Sequence, residues 1–211
     1  MIETASLALT TFFATIGPLD VAATFAALTV GETSRHKFSM AIRGTLTATA
    51  ILVIFALTGD KLLSGLGISL PALRTAGGIL LLLIGIEMVF ARSSGAVSTT
   101  DEESREAVSK KDISVFPLGT PLIAGPGAMG ATILLMSNEV GDITGQLVVI
   151  TSLLVILLFT FMALLIAGKI LELLGVIGMQ VITRVMGVLL SALAVQFIFD
   201  GIMQSGLLGS Y

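Results

Sequence analysis

The 211 residues contain no cysteine and no tryptophan, and only one histidine and one tyrosine. Without cysteine there is no disulfide framework, no thiol nucleophile and no thiolate metal site. The single histidine, His36, stands between Arg35 and Lys37 in a polar stretch and reads as a solvated side chain. Charge is scarce as well. Charged residues make up 12% of the chain, against about 25% in an ordinary soluble domain. The net charge is −3, with no basic cluster to follow a nucleic acid backbone. What fills the chain instead is apolar: 55% of residues are hydrophobic and the mean hydropathy is +1.05. Apolar runs of roughly 20 residues, the length that crosses a bilayer, recur from end to end. These features predict an all-α, polytopic membrane protein.

Six runs are expected to span, over residues 5–30, 38–58, 71–90, 115–136, 147–167 and 180–202. The first begins almost at Met1. It has neither the basic flank nor the short apolar region and cleavage site of a signal peptide, so it reads as a retained span. Residues 59–69 read as a turn-rich loop, and Pro71 suits the first turn of the third span. Composition changes over residues 92–114, which are rich in Ser, Thr and mixed charges; this stretch reads as a polar cytoplasmic linker. It divides the chain into a first three-helix unit, 1–91, and a second, 115–211.

Two spans carry the residues that a helix interior tolerates least. Ile16-Gly17-Pro18-Leu19-Asp20 interrupts the first, and Ala124-Gly125-Pro126-Gly127-Ala128 the fourth. Gly costs about 1 kcal/mol and Pro about 3 kcal/mol relative to Ala inside a helix. In lipid such breaks are tolerated only where protein or a watery cavity satisfies the freed backbone. The motif Gly-Pro-x-x-x-x-Ala-Thr runs from Gly17 to Thr24 and again from Gly125 to Thr132, an offset of 108. Arg74-Thr-Ala-Gly77 and Arg184-Val-Met-Gly187 match at an offset of 110. Repeats of three spans enter the membrane with opposite orientations, so the halves are expected to be inverted repeats with broken first and fourth helices. Lys and Arg concentrate on one side of the membrane in this scheme: Arg35, Lys37, Arg92, Arg105, Lys110, Lys111 and Lys169, against Lys61 and the nearby Arg74. The bias puts both termini outside.

A break inside a span exposes N–H groups with about half a positive charge on one half-helix and free carbonyls on the other. Such groups suit a zwitterion. Gly17, Gly125 and Gly127 would let it approach the backbone, and Gly127, whose counterpart is Leu19, predicts more room beside the fourth span. Asp20 is the carboxylate deep in the first span. It is a candidate to hold an ammonium or carry a proton, the alternative being a structural pair with Arg43 or Arg74. Thr24, Thr120 and Thr132 flank the breaks and can donate to a ligand, although back-bonding to their own helix is the more ordinary role of such threonines. With Ile16, Pro18 and Pro126 these residues complete the expected substrate site. No nucleophile–histidine pairing, phosphate loop or metal cluster is visible, so neither catalytic residues, metal ligands nor a cofactor are expected.

Pro117-Leu-Gly-Thr-Pro121-Leu-Ile-Ala-Gly125-Pro-Gly127-Ala resembles the signature of the MarC family, of the small neutral amino acid transporter type. Arg74-Thr-Ala-Gly77-Gly78 and Arg184-Val-Met-Gly187 with Ala194-Val-Gln196 are similar to its third and sixth spans. The resemblance implies a bacterial inner-membrane protein of six spans that exports small neutral amino acids such as glycine and alanine. The first span departs from the family pattern Asp-Pro-x-Gly-Asn-x-Pro: Gly17 and Asp20 have exchanged places, and the Asn and second Pro are missing. The role of the family's Asp therefore does not pass to Gly17.

The expected function is a secondary transporter with its substrate near the midplane, between the two breaks. Its partners are that amino acid, membrane lipid, protons as the candidate coupling ion, and a second copy in a candidate homo-oligomer. The competing readings are a membrane scaffold or accessory subunit without a substrate, and a transporter of another small solute. Gly and Ala at the breaks, with aromatics at only 6%, favour a small ligand over a large drug.

Overall fold

In lipid the backbone must satisfy its own N–H and C=O groups, and long apolar runs do so as helices. The computed structural model describes residues 1–90 and 112–206, and every element among them is helical. Helices α1 (Ile2–Ile16) and α2 (Pro18–Leu28) together make one 27-residue span. Helices α3 (Ser34–Gly65) and α4 (Leu70–Phe90) complete the first half. The second half comprises α5 (Ser114–Ile123), α6 (Pro126–Asn138), α7 (Ile143–Leu165) and α8 (Ala167–Gln204). Between α5 and α6 the chain bends by 54°. Five helices are long and apolar enough to cross a membrane, and six spans result when that bent pair counts as one. Most of the expected linker, residues 92–111, lies outside the described residues.

Two boundaries differ from the sequence expectation. Helix α3 does not stop near residue 58; it runs to Gly65 and the chain turns only at Gly67, where φ is 68°. The expected exit after the fifth span is helical too. Lys169 and Glu172 lie inside α8, which carries a non-helical break at Gly175 (φ 60°, ψ 178°) before the span Gln180–Gln204. Lys and Glu are good helix formers. Their charge marks where the chain leaves the apolar layer, not where it leaves the helix.

Packing relates the two halves. Helix α3 packs on α5 and α6, and α7 packs on α1 and α2; α4 packs on α6, and α8 on α2; α3 meets α7, and α4 meets α8. Exchanging α1–α4 for α5–α8 leaves these principal pairs unchanged. Glycines in the left-handed region also recur in step: Gly31 and Gly141 are 110 residues apart, and Gly67 and Gly175 are 108 apart.

The core lies between the two broken spans and their neighbours. Phe12, Phe25, Leu118, Ile123, Leu134 and Leu153 are fully buried there beside small residues such as Ala8, Ala22 and Ala128. Outward faces stay apolar, with Leu46, Ile54, Leu83, Leu158 and Phe199 exposed, as lipid-facing positions are. Helices α4 and α8 meet backbone to backbone. A Cβ at Gly78 would stand 2.8 Å from the Ala194 carbonyl oxygen, and one at Gly187 2.8 Å from that of Gly85. Close approach through small residues is how helices associate where lipid removes the hydrophobic drive.

The start of α5 is fixed to α3 by Asp112. Its carboxylate accepts from the Ser114 amide at 2.9 Å and pairs with Arg43 at 3.2 Å. Hydrogen bonds from Ser114, side chain before backbone, hold the Asp112 carboxyl below its usual value, with a smaller pull from Arg43.

Candidate functional site at the broken helices

Gly17 serves as the last turn of α1 and the cap of α2 at once. Its φ of 60° and ψ of 59° are left-handed, a conformation open to Gly at little cost. Its amide donates to the Phe13 carbonyl at 3.0 Å, and its own carbonyl accepts from Val21 at 2.9 Å. Pro18 has no N–H to lose at the first helical position. The amides of Leu19 and Asp20 therefore open α2 without an acceptor in their own helix.

The second break repeats this accounting with another geometry. Gly125 is extended (φ −81°, ψ 170°), Pro126 takes the first helical position, and the Gly125 carbonyl accepts from Met129 at 3.0 Å. The amides of Gly127 and Ala128 are the open pair here. Upstream, α5 is irregular: Phe116 and Thr120 leave helical φ/ψ, each before a cis proline. Its Leu118 and Ala124 amides reach back five residues, to the Ile113 and Gly119 carbonyls at 3.0 Å each. The broken spans pack crosswise, α1 on α6 and α2 on α5.

Around the first break the structure gathers Gly17, Pro18 and Asp20 of the expected set. They line a cavity of about 10 Å³ with Phe13, Leu19, Met88, Ile182, Thr183 and Met186. That is room for about one water. Asp20 is half-buried and accepts a 2.6 Å hydrogen bond from the Thr183 hydroxyl of α8. The structural partners expected for Asp20 are engaged elsewhere: Arg43 with Asp112, and Arg74 through Nε with the Asn138 side chain at 2.8 Å.

The rest of the expected set is disposed differently. Ile16 is buried in the core. Thr132 is fully buried and donates to the Ala128 carbonyl at 2.7 Å, the back-bonding role. Thr24 is half-buried on α2, and Thr120 is half-buried in an extended stretch of α5. Gly125 and Gly127 are buried, whereas Pro126 is exposed. The extra room expected beside Gly127 is absent, because the Ile84 side chain of α4 lies directly against it.

Thr183 is the residue that the sequence did not single out. It lies 163 residues from its partner, on a helix with no break beside it. One signal was present: Thr183 immediately precedes Arg184 of the repeated motif, where the first half has Leu73 before Arg74. The counterpart of Asp20 is likewise apolar, Ala128. The polar pair between broken helix and last span thus exists in one half only.

A multi-pass bundle with two spans broken at Gly-Pro and packed crosswise defines the class: a polytopic α-helical membrane protein with discontinuous helices. The chain belongs to the MarC family, since the family model for MarC family integral membrane proteins matches residues 2–205. A UPF0056 membrane protein of Methanocaldococcus jannaschii is 37% identical over 93% of this chain and 94% of its own. One of Pyrococcus horikoshii is 35% identical over 95% of each chain, and one of Bacillus subtilis 33% over 90% of each. Relatives of this protein are thus archaeal as well as bacterial. No solved structure matches the chain.

Proposed function

We propose that this protein is a secondary transporter of small neutral amino acids such as glycine and alanine. The observation that supports it is the first break. Gly17, Pro18, Leu19 and Asp20 line one small cavity between a broken helix and the last span, and the Leu19 and Asp20 amides have no acceptor in their own helix. Open amides at a half-helix start attract a carboxylate, and the Asp20 carboxylate attracts an ammonium. A cavity of about 10 Å³ is too small for an amino acid, so binding there requires the cavity to widen. Opening separates α2 from α8 and breaks the Asp20–Thr183 hydrogen bond. Substrate enters as that contact is lost, and its ammonium takes the place of the Thr183 hydroxyl on Asp20. Export across a cytoplasmic membrane, with both termini outside and a proton as coupling ion, completes the reading.

The test is radiolabelled glycine and alanine flux in proteoliposomes of the purified protein. Flux above empty vesicles, competed by unlabelled alanine and not by leucine or a cationic drug, is expected. Flux equal to empty vesicles under every imposed proton and substrate gradient would leave the scaffold reading instead.

A further inference from the structure

Where α3 and α7 run side by side, two cavities follow one another along the seam. The upper one, about 280 Å³, opens between the end of α2, the start of α3 and the α7–α8 junction. Thr29, Ser34 and Lys37 give it a polar side; Phe38, Leu164 and Gly168 close the rest. A Cβ at Gly168 would meet nothing within 4 Å, so this wall is open. The lower cavity, about 220 Å³, is a groove of Ile42, Leu46, Leu154, Leu158 and Phe161 with two threonines. Between them Phe38 and Phe161 stand edge to face, with ring centroids 6.1 Å apart.

The seam has the proportions of a lipid. Residues 34, 38, 42, 46 and 49 lie on one stripe of α3, and residues 165, 161, 158 and 154 on one stripe of α7. From Ser34 to Thr49 the helix rises about 22 Å. One leaflet of hydrocarbon is about 15 Å deep, so the remainder is headgroup depth. Leu46 and Leu158 are 62% and 58% exposed, which leaves the groove open to the membrane along its length.

Charge selects the headgroup. Among the described residues, Lys37 is the charged residue lining the upper cavity, and no carboxylate lines either cavity. Arg35 and Lys169, next in sequence to lining residues Ser34 and Gly168, are exposed. The nearest acid in sequence, Glu32, stands 3.9 Å from the His36 imidazole. We infer that this seam is a binding site for one anionic phospholipid, its phosphate at Lys37 and Ser34 and an acyl chain in the α3–α7 groove. The inference is independent of what the protein transports.

Native mass spectrometry of the full-length protein tests it, with palmitoyl-oleoyl phosphatidylglycerol titrated against the phosphatidylcholine of the same chains. Phosphatidylglycerol should bind several-fold more tightly. Lys37→Gln should reduce that preference about fivefold, Lys37→Arg should keep it, and Lys61→Gln should leave it unchanged. Leu158→Trp, an exposed position where the larger ring fills the groove, should weaken both lipids. Equal affinity for the two lipids, or an undiminished preference in Lys37→Gln, overturns the assignment. So does a dimer that excludes lipid and dissociates in Leu158→Trp, because the groove would then belong to a second copy of the chain.

Discussion

Asp20 and Thr183 make a pair whose two ends can be tested separately. Asp20→Asn keeps the shape and loses the charge. If the carboxylate holds the substrate ammonium, glycine flux should fall about ten- to a hundredfold, the worth of a hydrogen bond to a charged group. Thermal stability in detergent should change little, since the amide oxygen still accepts from Thr183. Thr183→Val is the complementary change. It removes the donor and leaves the half-buried carboxylate short of a partner, at a cost of about 1–3 kcal/mol. Its unfolding temperature should drop, and Thr183→Ser should restore it. Wild-type flux in a folded Asp20→Asn protein across a range of pH would reduce Asp20 to a structural role. Asp20 itself was legible, because a carboxylate deep in an apolar run stands out. Its partner was not: a contact 163 residues away depends on how α8 docks, and no local spacing encodes that.

At the scale of the helix, glycines of one composition separate into opposite expectations. At Gly187 an added Cβ would meet the Gly85 carbonyl at 2.8 Å and the Val89 amide nitrogen at 2.9 Å, both backbone of α4. Neither can rotate away, so Gly187→Ala should force α4 and α8 apart and cost roughly the 1–3 kcal/mol of overpacking. Gly130 sits in helical conformation inside α6 with nothing within 4 Å of its would-be Cβ. There Gly130→Ala should be tolerated or stabilise by up to about 1 kcal/mol. Thermal unfolding of the two variants in one detergent checks both, and equal shifts would contradict the close α4–α8 contact. Gly127 differs from Gly187, since what lies beside it is the terminal methyl of the Ile84 side chain, which can rotate away, so Gly127→Ala should cost less than Gly187→Ala; the larger Gly127→Leu should lose folded protein before it loses affinity. The Gly-Pro breaks were readable because Gly and Pro impose them locally. What lies opposite each glycine was not, and so the sequence placed the free space beside Gly127 when it lies beside Gly17. The same limit hid the helical course between the expected fifth and sixth spans, where Lys169 and Glu172 lie inside α8.

The molecule as a whole inherits its six-span plan from run length alone, which is why that plan was legible without any contact information. Which way it sits rests on charge. In the scheme with both termini outside, the α2–α3 loop faces the cytoplasm beside Arg35 and Lys37, and the α6–α7 loop, with Glu139 and Asp142, faces out. These two loops are repeat-equivalent, each turning at a left-handed glycine, Gly31 and Gly141. Their backbone geometry therefore cannot distinguish the sides, and only the basic residues can. The absence of cysteine makes the test clean, because any introduced thiol is the only one in the protein. Glu32 and Val140 are both exposed at the tips of these loops. In intact cells Val140→Cys should react with an impermeant maleimide and Glu32→Cys should not; once the membrane is opened, both should react. The reverse pattern would invert the protein, moving Lys37 and its cavity to the outer leaflet. Equal labelling of both in sealed cells would mean that the chain inserts in two orientations and that the charge bias does not fix its topology.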